Sequence, residues 1–135
     1  MRVAVPKENR PGEKRVALVP DIISKLTKAG LDVTVESGAG VAAGFPDAQF
    51  AAAGASIASG DVTSTADVIL SVQPLTPEAM GSLKKGAITI SFLSPTTALD
   101  SIGAAVSAGV TALSLELVPR ISRAQSMDAL TSQAL

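Results

Sequence analysis

Short apolar runs that stop at a Pro, a Gly or a polar pair, each followed by a stretch with helical spacing, recur along this chain. That alternation most narrows what it can fold into. The runs are Arg2 to Val5, Leu31 to Glu36, Ser56 to Ala58, Val68 to Val72, Ala87 to Phe92 and Val110 to Leu117, and each has the length of a buried strand. Between them, Pro20-Asp21 opens a helix running to Ala29, with Ile22, Ile23 and Leu26 on one face and Gly30 as its C-cap. Pro46 to Ala53 reads as a small helix closed by Gly54. Thr76-Pro77 supplies an N-cap and a first-turn proline for Glu78 to Leu83, and Thr97 to Ala108 is a further helix. Strands alternating with helices at this spacing predict an α/β fold, a doubly wound parallel sheet of the flavodoxin-like kind. Ligands of such sheets lie beyond the carboxyl ends of the strands. Those ends carry the loop from Pro6 to Arg15, Gln73, Ser94 and the residues from Arg120 onward, which are expected to converge on one edge.

At 135 residues the chain is expected to form one domain, large enough to bury roughly two-thirds of its unfolded surface. A mean hydropathy of +0.40 raises the question of a membrane span. The best candidate, Ser101 to Leu115, is shorter than the roughly 20 residues a spanning helix needs, and Gly103, Ser107, Gly109 and Thr111 divide it into helix and strand. A soluble, cytoplasmic protein without direct membrane insertion is therefore expected. The absence of Cys excludes disulfides and thiolate metal sites. A net charge of -1 and three Phe with no Trp or Tyr provide neither a basic footprint nor a stacking platform for nucleic acid. The absence of His removes the usual general base and the commonest metal ligand together.

Two loops invite a functional reading. Lys7, Glu8, Arg10, Glu13, Lys14 and Arg15 crowd charge around the turn at Pro11-Gly12, and most of them read as a solvated loop. Arg15 is the exception, since it directly precedes Val16-Ala17-Leu18-Val19 and is anchored where its guanidinium can point into a cleft. Gly38-Ala39-Gly40-Val41-Ala42-Ala43 satisfies G-x-G-x-x-A after a strand. A dinucleotide fingerprint requires the helix to open directly on those glycines, whereas Gly44-Phe45-Pro46-Asp47 delays it. The glycines are expected to serve tight packing.

The stretch from Pro119 to Gln133 holds most of the chemically able side chains. Ser122-x-x-Gln125 matches a capping box and Asp128 suits a helix's first turn, with the helix proper starting near Ala129. That account leaves out Arg120 and Arg123, because cations face the wrong end of the dipole there. A guanidinium fork, an amide and a carboxylate in one short loop suit a planar amide or a phosphate-bearing ligand.

The run Arg120-Ile121-Ser122-Arg123-Ala124-Gln125-Ser126-Met127-Asp128-Ala129-Leu130-Thr131-Ser132-Gln133 closely resembles the loop of the nucleotide-binding alpha subunit of proton-translocating NAD(P) transhydrogenase. Val5-Pro6-Lys7-Glu8 with Gly12 to Pro20 resembles the second signature of the same superfamily, shared with alanine dehydrogenase. The resemblance implies NAD(H) held through Arg120 and Asp128 at the nicotinamide and its carboxamide, and Gln125 reaching NADP(H) on a partner subunit or domain. Thr131 stands where the family usually has Ser, keeping the hydroxyl and adding a methyl. It also implies a membrane-embedded proton-channel subunit and an NADP(H)-binding subunit as partners, a homodimer, and a place at the cytoplasmic face of the bacterial inner membrane. Residues 1–118 would be the superfamily's N-terminal domain, and 119–135 the nicotinamide-site loop with the start of an inter-domain helix. The family continues into a Rossmann domain, so the 135 residues alone are expected to be inactive. The alternatives are an alanine dehydrogenase and a non-catalytic free domain. In the resembling dehydrogenases the positions of Gln73 and Ser94 hold a Lys and a His, and Arg15 matches a substrate-carboxylate clamp. Gln and Ser supply no useful acid or base, whereas hydride exchange between two nicotinamides needs positioning alone.

Overall fold

The computed structural model describes residues 1–94, 98–119 and 121–127, and for Gln125 the backbone only. Six parallel strands, β1 (Arg2–Val5), β2 (Asp32–Glu36), β3 (Ser56–Ala58), β4 (Val68–Leu70), β5 (Ile88–Ser91) and β6 (Thr111–Ser114), form one sheet in the order β3-β2-β1-β4-β5-β6. Four helices connect them: α1 (Pro20–Lys28), α2 (Asp47–Ala52), α3 (Pro77–Gly81) and α4 (Leu99–Ala108). Without the short edge strand β3, the order is that of the flavodoxin-like sheet, with its switch point between β1 and β4. The expected doubly wound parallel sheet is thus what forms.

Local chemistry accounts for the helix starts. Pro20 occupies the first turn of α1, and Lys25 and Lys28 lie in its last, where cations favour the dipole. The Thr76 hydroxyl accepts from the Ala79 amide at 3.2 Å, the N-cap expected for α3. Three strands end before their apolar runs do. β4 ends at Leu70, β5 at Ser91, and β6 at Ser114, where a 3₁₀ turn, Leu115–Leu117, takes over. Thr97, expected to open α4, lies outside the described residues, and the helix is described from Leu99.

The register assigns the two faces. Val3 and Val5 of β1 align with Val33 and Val35 of β2 and pack under Ile23 of α1 and Phe50 of α2. On the other face, Ala4 and Ile69 pack under Met80, Leu83 and Ala105 from the α3 and α4 layer. Each helical layer covers half of the sheet, and the remaining halves differ in character. Beyond Ala4, the second face continues onto Thr34 and Ser56. The first face continues onto Val68, Leu70, Ile88 and Ile90, all half-buried, and onto exposed Leu113. Thr89 sits 2% exposed between Ile69 and Ala112, its hydroxyl without a partner among the described residues, and an unmet buried hydrogen bond costs about 1–3 kcal/mol. Among the described residues, no helix is long and apolar enough to cross a membrane.

Candidate functional site

Where the strands end, the chain's own acids take over from the ladder. After β1, the Lys7 amide donates to Glu36 Oε2 at 2.7 Å. After β2, the Gly38 amide donates to Asp47 Oδ1 at 2.9 Å and the Ser37 hydroxyl to Asp47 Oδ2 at 2.7 Å. After β4, the Val72 and Gln73 amides both donate to the Glu8 carboxylate. After β5, the Ser94 amide donates to Glu116 Oε1 at 2.7 Å. Outward-facing backbone amides of this kind are what α/β proteins commonly offer to phosphate, and on this rim four strand ends have a resident carboxylate instead. The arrangement also explains where β4 ends, since the Val72 amide turns to Glu8 and leaves the sheet.

A cleft of about 370 Å³ opens at the switch point, lined among others by Lys7, Glu8, Arg10, Thr63, Gln73 and Thr76. Most of the loop's charged residues, Lys7, Arg10, Lys14 and Arg15, are exposed as expected, and Glu8 and Glu13 are half-buried. The Glu8 carboxyl is pushed up from its ordinary value by burial, against the pull of the Val72 and Gln73 amides. Glu13 has a side chain only 7% exposed. The Arg15 guanidinium donates to it twice, from Nε and from a terminal nitrogen, each at 2.8 Å, and the Arg15 amide adds a third bond at 3.0 Å. Gln73 Nε2 donates to the same carboxylate at 2.6 Å. Arg15 also lies over the Phe92 ring, 5.7 Å from its centroid. Of the residues expected to converge, Arg15, Gln73 and Ser94 therefore reach one edge, with the Arg15 fork aimed at Glu13. Ser94 holds a left-handed backbone with φ of 50°. Among the described residues, no cluster of His, Cys, Asp or Glu is placed to hold a metal ion.

Residues 38–44 behave as packing. A Cβ at Gly40 would lie 2.4 Å from the Phe50 ring and 2.6 Å from the Phe45 carbonyl oxygen. The amides of Ala39, Val41, Ala43 and Gly44 bond within the turn, and that of Gly38 to Asp47. Gly44 takes the left-handed conformation that ends the 3₁₀ turn Val41–Ala43, and α2 begins only at Asp47. The delay read from Gly44 to Asp47 is present, and no dinucleotide fingerprint forms.

Past Val118 the chain turns through a 3₁₀ helix, Ser122–Met127, anchored by Ala124, which is 5% exposed and donates its amide to the Ile121 carbonyl. Arg120, Asp128, Thr131 and the side chain of Gln125 lie outside the described residues, as does the helix expected from Ala129. The rim acids Glu8, Glu36, Asp47 and Glu116 were not anticipated. Their amide partners are brought to them by the fold, and no local spacing announces them.

The rim also sets an acid limit. Hydrogen bonding from Arg15, foremost, holds Glu13 down to about 2, and the hydroxyls of Ser64 and Thr63 hold Asp61 down to about 2. A depressed folded value means stability present above the unfolded value and lost as pH falls through the folded one. Glu8, with its raised value, has the opposite sign, stabilising most at low pH and losing that contribution as pH rises. Urea midpoints are expected to fall between roughly pH 4.5 and 2, and Glu13→Gln should flatten that fall. An unchanged profile in Glu13→Gln would show that the pairing does not stabilise the fold.

Comparison with known proteins agrees with this architecture. The family described as alanine dehydrogenase/PNT, N-terminal domain, matches residues 4–135. In Rhodospirillum rubrum, the first of the parts that make up NAD(P) transhydrogenase subunit alpha is 45% identical over 141 residues, covering 99% of this chain and 37% of the relative. A Mycobacterium tuberculosis alanine dehydrogenase is 33% identical, covering 87% of this chain and 32% of that enzyme. The crystal structure of transhydrogenase from Sinorhizobium meliloti superposes with a TM-score of 0.94 at 40% identity, covering 99% of this chain and 40% of that one. The chain thus spans about a third of the length of these curated relatives. From the sheet order, the glycine-packed turn after β2 and a match over nearly every residue, this chain belongs to the family of alanine dehydrogenase/PNT N-terminal domains.

Proposed function

We propose that this domain opens the NAD(H)-binding component of a proton-translocating transhydrogenase, in which hydride passes directly between NADH and NADP⁺. The observation that carries this reading is the chemistry of Gln73. At the carboxyl end of β4, where the resembling dehydrogenases have a Lys, stands an amide whose nitrogen donates to Glu13 and which has no proton to exchange near neutral pH. Amino-acid oxidation moves protons on and off nitrogen. Transfer between two nicotinamides needs only that the rings be held close and aligned. Arg120 and Asp128 hold the nicotinamide and carboxamide of NAD(H), Gln125 reaches NADP(H) on a partner, and the Thr131 hydroxyl completes the contact. Residues 119–135 form this loop, and 1–118 its supporting domain.

The carboxylate-capped rim supports the same division of labour. It leaves the pyrophosphate to a second, Rossmann-type domain, so the 135-residue chain alone is inactive. The remaining parts of the proposal are a membrane-embedded proton-channel subunit, an NADP(H)-binding subunit, a homodimer and a peripheral place at the cytoplasmic face of a bacterial inner membrane. In a complete alpha subunit carrying this domain, pyruvate with ammonia is expected to cause no NADH oxidation. Robust pyruvate-dependent oxidation in the unaltered protein would identify an alanine dehydrogenase instead.

A further inference from the structure

We propose that Met127 is the site at which peroxide modifies this domain, and that its sulfoxide weakens NADH binding; the second half rests on the function proposed above. The chain has no Cys, His, Trp or Tyr, so the thioether of methionine is the readily oxidised group it offers. There are three, Met1, Met80 and Met127, and their surroundings separate them. Met80 is 1% exposed, packed in the core from α3, where peroxide reaches it only when the fold opens. Met1 is 70% exposed but precedes β1, at the amino edge of the sheet, away from the rim. Met127 is 58% exposed and closes the 3₁₀ helix Ser122–Met127. In sequence it stands directly before Asp128 and two residues after Gln125.

Exposed apolar side chains are ordinary on a protein surface, and a Leu or Ile at position 127 would be inert. A thioether is not. Its sulfur lone pair attacks one oxygen of hydrogen peroxide, and an S–O bond forms as the O–O bond breaks. The proton on the transferred oxygen passes to the departing hydroxide, so that thioether and peroxide become sulfoxide and water. The sulfur is oxidised and the peroxide reduced, with no further reactant. A flexible apolar side chain thereby becomes a polar one. Its new acceptor oxygen stands one residue from Asp128 and competes for the donors which that carboxylate takes in the proposed site. Ala124, 5% exposed, anchors the same helix three residues earlier, so the change is confined to the end of the helix that leads into Asp128.

The test treats a complete alpha subunit carrying this domain, native and Met127→Leu, with dilute hydrogen peroxide. Sulfoxide at Met1, Met80 and Met127 is followed by peptide mass spectrometry, alongside equilibrium NADH binding. Met127 is expected to oxidise on the time course of Met1 and at least about tenfold faster than Met80, which waits on opening of the core. NADH affinity should fall at least about tenfold as Met127 oxidises, the ratio set by one hydrogen bond to a charged group, and methionine sulfoxide reductase should restore it. Met127→Leu, at the same dose, should keep its own untreated affinity while Met1 still oxidises. A Met127 as slow to react as Met80 overturns the proposal. So does an unchanged NADH affinity after full oxidation of Met127, or an equal loss in Met127→Leu. An untreated subunit that binds NADH but transfers no hydride with its partner subunits sinks the function proposed above instead, and leaves this proposal to the same two readouts.

Discussion

Gln125→Asn, placed in the complete complex with both nucleotides present, is expected to slow hydride transfer on the order of 100-fold, the loss that follows from a misplacement near 1 Å at the reacting centre. The substitution keeps the amide and withdraws it by one methylene, so the contact to NADP(H) is lost without change of charge. NADH affinity is expected to stay near native, because Arg120 and Asp128 hold that ring in the proposed site. The segment is anchored one residue away by buried Ala124 within the 3₁₀ helix Ser122–Met127, which leaves the reach of the side chain as the variable. A capping role for Gln125 gives another pattern. Loss of its bond to the helix start would cost about 1 kcal/mol, disturb the whole loop and weaken NADH binding along with transfer. Stopped-flow transfer rates combined with equilibrium NADH binding distinguish the two, and a native transfer rate would remove Gln125 from the reaction.

Gly40→Ala is expected to be the most damaging single-methyl substitution in the domain, lowering stability by about 1–3 kcal/mol or more. The new methyl would meet the Phe50 ring at 2.4 Å and the Phe45 carbonyl oxygen at 2.6 Å. Neither neighbour can move away cheaply. Phe50 is fully buried and packs edge-on against Phe45, with ring centroids 6.3 Å apart, and the carbonyl belongs to a turn in which the Phe45 amide bonds back to Gly40. Gly44→Ala is a useful contrast. Its Cβ would meet nothing within 4 Å, so its cost, about 1–2 kcal/mol, comes only from a φ of +87°. Urea unfolding of both variants checks this, and a Gly40→Ala midpoint equal to native would show that the glycine is not there for packing.

These two positions mark where the sequence was readable and where it was not. Order and type of the elements followed from the apolar runs and from Pro20, Thr76-Pro77 and Gly44, because such signals act within a few residues. The Gly40 role was legible as packing but not its partner, since Phe50 returns to it only through the turn at Phe45-Pro46. Strand ends were overestimated at Val72 and Phe92 because apolarity continues past the last ladder bond, while the Val72 amide turns to Glu8 and the Phe92 amide to the Val72 carbonyl. The loop from Lys7 to Arg15 is mostly exposed, as expected, and the sequence did not show that Glu8 and Glu13 are drawn in from it. Val72, which bonds Glu8, and Gln73, which bonds Glu13 alongside Arg15, lie 64 and 60 positions away, and only the parallel pairing of β1 with β4 brings them near. The proposed nicotinamide-site residues rest on a resembling motif, a different kind of warrant from periodicity.

The carboxylate-capped rim has a consequence for the entropy of ligand capture. Loops that wait for a phosphate to order them lose conformational freedom at the moment of binding, and that loss subtracts from affinity. Here the loops after β1, β2, β4 and β5 are ordered by acids of the same chain, so their ordering cost is met during folding. In the proposed function, a nicotinamide held over these loops would meet a floor whose shape does not depend on its presence. Such a floor would contribute alignment and little binding energy, which suits the proposed role of a component that must release its nucleotide after every transfer.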